Sequence, residues 1–118
     1  MAFKIQKGDR LPYTNASGVD IASGDPVLVG ETFGVAVANI ADGEGGTLDI
    51  KGVYEVRKAA GEAISQGVDL YWDADGDPQG AVSGTGCLTA TSTDNIYAGK
   101  AFAAAGSTAT VVQINLNA

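Results

Sequence analysis

Phe33-Gly34-Val35-Ala36-Val37-Ala38-Asn39-Ile40 is the stretch on which the fold turns. Val35 and Val37 alternate with Ala36 and Ala38, so a strand here is apolar on both faces. Such a strand belongs inside a barrel or between packed layers. On either side, the chain repeats one design: short runs rich in Val, Ile and Thr, separated by glycine turns. There are 17 glycines and only three prolines, and no segment carries a sustained apolar period of 3.6 residues. This is the punctuation of an all-β chain.

Working outward, Gly24-Asp25-Pro26 leads sharply into Val27-Leu28-Val29. Pro26 lacks an N–H and suits a strand start or a sheet edge. Ala41 to Gly46 reads as a flexible acidic loop, followed by strands over Thr47–Ile50 and Val53–Val56. Residues 58–66 are the one candidate helix. Gly61 costs about 1 kcal/mol there relative to alanine, so one or two turns are the most expected. Val68–Trp72 is a strand. Residues 73–95 are loop-rich, with a hairpin expected through Ala81-Val82 and Cys87–Thr91. Ile96–Ala103 and Thr108–Leu116 close the chain. The expected fold is a small β-barrel or sandwich of short strands with at most one short helix. Residues 1–15 are expected as an N-terminal arm and 16–118 as a single barrel-like domain.

A weak internal echo runs through the sequence. Ile21-x-x-Gly24 before Val27-Leu28-Val29 matches Ile64-x-x-Gly67 before Leu70-Tyr71-Trp72. Gly34-Val35-Ala36 through Gly43 and Thr47 resembles Gly99-Lys100-Ala101 through Gly106 and Thr110. The echo implies two β half-units facing each other, the second with a longer insertion. Chance similarity among Gly/Ala/Val-rich strands is the competing reading.

The bulk numbers narrow the function. A chain of 118 residues, 45% apolar but only 7% aromatic, builds one modest core of Val, Ile, Leu and Ala. Such a core gains from extra burial at an interface. A net charge of −7 repels phosphates and anionic lipid, which argues against nucleic-acid and membrane partners. No apolar run approaches membrane-spanning length, and Met1–Gln6 has no apolar signal core. Cys87 is alone, so no intrachain disulfide forms. With no basic neighbour in sequence it reads as an inert packing residue, and the composition suits a reducing compartment. Lys4, Lys7 and Arg10 concentrate basic charge in the first ten residues. They form either a solvated, mobile terminus or an arm that docks on an acidic neighbour.

Reactive chemistry is hard to build from this chain. Without histidine there is no Ser-His-Asp or Cys-His arrangement, and a zinc site lacks ligands. Asp73-Ala74-Asp75-Gly76-Asp77-Pro78-Gln79 resembles the opening of a calcium loop. The sixth and twelfth positions hold Pro78 and Gly84 where Gly and Glu are needed, so an acidic turn is the better reading. Asp94 to Ala101 ends in Gly99-Lys100-Ala101 but lacks the first glycine and the hydroxyl of a phosphate loop. Gly43-Glu44-Gly45-Gly46 carries a carboxylate that repels phosphate. No metal, cofactor or catalytic residue is therefore expected. Tyr71 and Trp72 are adjacent and point to opposite faces. One belongs to the core, and the other to solvent or a partner.

Tyr13-Thr14-Asn15, Asp20-Ile21-Ala22-Ser23-Gly24-Asp25, Val29-Gly30, Gly34-Val35-Ala36, Ile40-Ala41-Asp42-Gly43, Gly46-Thr47, Gly52-Val53-Tyr54, Lys58-Ala59-Ala60-Gly61 and Leu70-Tyr71-Trp72-Asp73 follow one another in an order that resembles the tailed-phage capsid cement, or head decoration, proteins. The likeness spans nearly the whole chain. Some members of that family carry a RecA/RadA-type recombinase label, which this chain does not support because it lacks a phosphate loop. The resemblance implies a non-enzymatic protein that binds the outside of an assembled head shell, with the major capsid protein as partner. It also implies a homotrimer at lattice symmetry points and a place on the outer surface of the virion after assembly in the host cytoplasm. Lys4, Lys7, Arg10, Tyr13, Tyr71 and Trp72 are the candidates for touching the capsid or another partner. A carbohydrate- or host-surface-binding β module is the alternative, resting on Tyr71, Trp72 and Tyr97.

Overall fold

In the computed structural model, which describes residues 8–118, the two-faced strand is β3 (Thr32–Ala36), and all of Phe33 to Ala36 is buried. Phe33 and Val35 enter a larger apolar core, while Ala36 enters a smaller one on the other side. The strand is shorter than expected. Val37–Asn39 turn toward solvent, and Ile40 returns only as an isolated bridge to Ile21.

Strand β2 (Pro26–Val29) forms a hairpin with β3 across Gly30-Glu31, with Gly30 at φ +58°. Strand β1 (Arg10–Thr14) and β4 (Gly45–Asp49) complete an antiparallel sheet in the order β1-β4-β3-β2. Pro26 sits in an edge strand, where its missing N–H costs no ladder bond. The second sheet holds β5 (Val53–Arg57), β6 (Asp69–Asp73), β7 (Cys87–Thr89), β8 (Ile96–Ala101) and β9 (Val111–Leu116). Its order is β5-β9-β8-β6-β7, again antiparallel throughout. Its two end strands approach each other, and one isolated parallel bridge joins Lys58 to Leu88. No ladder continues from that bridge, so among the described residues there are two sheets and no closed barrel. The larger core gathers Leu70, Leu88, Ile114 and Leu116 of the second sheet around Phe33 of the first. Each such side chain contributes about 1.5–3 kcal/mol on full burial.

Two local expectations are corrected. Residues 58–66 form no helix. Gly61 takes φ +71°, and the backbone of Lys58, Ala59 and Ile64 bridges to Leu88, Pro78 and Ala105 instead. Tertiary pairing thus claims the groups a helix would use. Ala81-Val82 forms no hairpin strand, and Val82 is exposed; β7 pairs with β6. Of the expected arm over residues 1–15, residues 10–14 form β1, which pairs from Arg10↔Asp49 to Thr14↔Gly45, and residues 1–7 lie outside the described residues.

The internal echo is structural. Ile21 exchanges both backbone hydrogen bonds with Ile40, and Ile64 does the same with Ala105. Gly24 N–H bonds to Ala36 O and Gly67 N–H to Ala101 O, with the glycines at φ +89° and +86°. Pro26↔Val35 is mirrored by Asp69↔Lys100, and Ala36↔Leu48 by Ala101↔Ile114. Ile50 N–H bonds to Asp9 O where Leu116 N–H bonds to Gly52 O. The halves β1–β4 and β5–β9 are therefore two copies of one β unit, and the second carries an insertion between β6 and β8 that contains β7. Asn117 fastens the copies together. Its Nδ2 donates to Phe33 O (2.9 Å) and Ile50 O (2.8 Å), and its own N–H bonds to Ala98 O.

Candidate functional site

The sequence-derived candidates are spread over both sheets. Lys4 and Lys7 lie outside the described residues. Arg10 opens β1, and its exposed guanidinium Nε lies 3.1 Å from Asp49 Oδ1. Asp49 also accepts from the Tyr54 hydroxyl of the other sheet. That hydrogen bond, followed by burial, raises the Tyr54 pKa above its ordinary value. Tyr13 is half-buried against the smaller core. Trp72 is in the larger core, 7% exposed, with its ring 5.4 Å from Phe33. Its indole therefore belongs to the interior. Tyr71 takes the outer face of β6, half-buried, and meets Tyr97 edge-on at 5.7 Å.

The insertion after β6 is pinned by side chains of the β5 end. Arg57 stacks over Trp72 at 5.2 Å and donates to Gly86 O (2.6 Å) and Thr85 O (2.8 Å). Gly86, at φ +97°, lies so close that a Cβ would come 2.6 Å from Trp72 Cζ2. Glu62 accepts from Thr89 Oγ1 and Ala90 N–H. Cys87 is buried beneath this lid. Burial first, then the carboxylates of Asp73 and Glu62, push its thiol up to about 11.

The acidic run at the end of β6 is a pinned turn. Gly76 N–H bonds to Asp73 O, Ala60 N–H to Asp77 O, and Gly84 N–H to Asp77 Oδ1. A side-chain hydrogen bond with Asp75, then burial, holds Asp73 above the usual carboxylate range. Among the described residues no three Asp, Glu or Cys side chains are placed to share a metal ion. A cleft of about 260 Å³ lies between Asp20–Ala22 and Asn39–Ala41. Its one carboxylate, Asp20, is already engaged by Asp42 N–H.

Two surface features were missed at the level of sequence. The outward face of the second sheet exposes Val53 (45%) and Val111, beside Lys100 paired with Asp69, and Phe102 (53%) follows β8. The strict alternation of Val111–Leu116 was the available signal. Charge is also divided unevenly. Residues 11–50 hold six carboxylates and no lysine or arginine, so the first half-unit is the acidic one.

These features are pinned loops, a buried tryptophan and mixed apolar and charged sheet faces. The chain belongs to the phage cement protein family, whose family model matches residues 5–116. No curated protein and no solved structure matches the chain significantly. Family membership gives it a structural role associated with the phage capsid.

Proposed function

We propose that this protein binds the outer surface of the assembled head shell and stabilises it against internal pressure, acting without catalysis. The family match over residues 5–116 carries this reading. The surface is consistent with it: exposed valines on one sheet with Phe102 beside it, and carboxylates unopposed by lysine or arginine over residues 11–50. The major capsid protein is the partner. A homotrimer would bury part of the exposed apolar surface, and many symmetric copies turn weak contacts into firm attachment. Lys4 and Lys7 are the basic groups proposed to meet shell carboxylates. Arg10 contributes less, because Asp49 already neutralises it. The carbohydrate-binding alternative loses its main platform, since Trp72 is internal.

Co-sedimentation with empty phage heads tests the proposal. Saturable binding that raises the temperature of head rupture is expected, and deletion of residues 2–9, which spares β1, should weaken it strongly. No binding to heads would refute the function. Unchanged binding of the deletion variant would refute the role of the basic segment. Sedimentation equilibrium of the free protein checks the trimer.

A further inference from the structure

The two half-units differ at one edge. Strand β6 is covered on its outer side by β7, with Tyr71↔Thr89, Trp72↔Leu88 and Asp73↔Cys87. The equivalent positions on β2 are Leu28, Val29 and Gly30, and no strand among the described residues lies beside them. Ala36 N–H bonds to Asp25 O, and the ladder then steps down to the two-residue turn at Gly30-Glu31. The alternation of an antiparallel pair therefore turns the polar groups of Val27 and Val29 toward β3. It leaves the N–H and C=O of Leu28 facing outward. Leu28 and Val29 are only half-buried. An edge with free backbone groups and apolar side chains is a template for an added strand, and the second half-unit shows the added strand in place.

Charge decides the occupant. β2 is flanked by exposed Asp25 and Glu31, inside residues 11–50, which hold no lysine or arginine. Two copies pairing β2 to β2 about Leu28 would set Asp25 of one opposite Glu31 of the other, and facing like charges destabilise a strand pair. A basic segment has the opposite fit.

We propose that the β2 edge receives an extended segment of the shell subunit, pairing with Leu28 and carrying lysine or arginine against Asp25 and Glu31. An apolar residue of that segment takes the place Leu88 holds on β6. The first sheet then runs on into the shell, so that the joint is held by main-chain hydrogen bonds. This proposal rests on the shell-binding reading above.

Hydrogen exchange followed by mass spectrometry tests it, on the protein alone at low and high concentration and on the protein bound to empty heads. The Leu28 amide should exchange freely in both free samples and slow by about tenfold or more on heads. Glu31→Lys should weaken head binding about three- to tenfold with an unchanged melting temperature. Binding to heads with Leu28 still unprotected, or with E31K binding as wild type, overturns the edge proposal but leaves the function standing. Protection that appears at high concentration without heads assigns the edge to a second copy and overturns it too. Absence of any head binding removes the function and this proposal together.

Discussion

Asn15 and Lys58 occupy the same place in the two half-units, and both are fully buried. Asn15 N–H bonds to Glu44 O, and Lys58 N–H bonds to Thr110 O. Asn15 Nδ2 donates to Val19 O (2.7 Å) and Ile40 O (3.0 Å). Lys58 Nζ donates to Glu62 O, the carbonyl equivalent to Val19, and to Ala59 O and Ser107 O. One position thus ties the loops of each unit together, with an amide in one copy and an ammonium in the other.

Removing either tie leaves the carbonyls it serves without that donor, at about 1–3 kcal/mol for each one that water does not reach. Asn15→Ala and Lys58→Met should each lower the unfolding free energy by about 2–4 kcal/mol in urea titrations. A loss below about 0.5 kcal/mol for either would show that water or relaxed neighbours satisfy those carbonyls equally well.

Arg57 joins the end of β5 to the insertion through Trp72, Thr85 and Gly86. Arg57→Lys keeps the charge but loses the planar fork. It should cost about 1–2 kcal/mol, shift Trp72 emission to the red, and speed hydrogen exchange across residues 80–90. Unaltered emission and exchange would mean that the insertion holds itself in place.

Gly99 is irreplaceable for steric reasons. At φ +151° its Cβ would lie 2.1 Å from Asn115 O, in backbone of the adjacent strand β9. Gly106 has open space around it. Gly99→Ala should prevent accumulation of folded protein, whereas Gly106→Ala should melt within a few degrees of wild type. A folded, stable G99A would mean that β8 and β9 can slide apart.

Cys87 should be nearly unreactive while the protein is folded. With its thiol pushed up to about 11, only about 0.1% is thiolate at pH 8, and the thiolate is the nucleophile. Labelling by a disulfide reagent should be at least a hundredfold slower than in guanidinium. Complete labelling of native protein within minutes would contradict the burial.

Tyr54 gives a signed pH dependence. The phenol is favoured in the fold because it donates to Asp49, so its pKa is raised. The stability it supplies is fully present below the unfolded value, about 10, and is lost as pH rises through the higher folded value. Tyr54→Phe should be less stable than wild type at pH 7 and should lose less stability from pH 9.5 to 12. Parallel pH profiles for the two proteins would eliminate the coupling.

Much of the architecture was legible because it rests on local patterns. The two-faced character of Phe33–Ala36 followed from the absence of any polar face, and the adjacent Tyr71 and Trp72 do divide between outer face and core. The echo between Ile21-x-x-Gly24 and Ile64-x-x-Gly67 marked a real duplication because both glycines must turn the chain at positive φ. What escaped was long-range. Lys58 looked like the start of a surface helix. Nothing near it in sequence reveals that the carbonyl of Ser107, 49 residues on, would join those of Ala59 and Glu62 around its Nζ. Arg10 looked available for a partner, yet Asp49, distant in sequence, meets it across the sheet. The open edge of β2 became visible only beside its covered counterpart.

The clasp made by Asn117 has a consequence during synthesis. Carbonyls of Phe33 and Ile50 wait for an amide that leaves the ribosome only when residue 117 has been made. The first half-unit can pair its own strands earlier, but its docking onto the second waits until residue 117 has been made. A binding surface that spans both halves is thereby withheld from nascent chains until both half-units have been made.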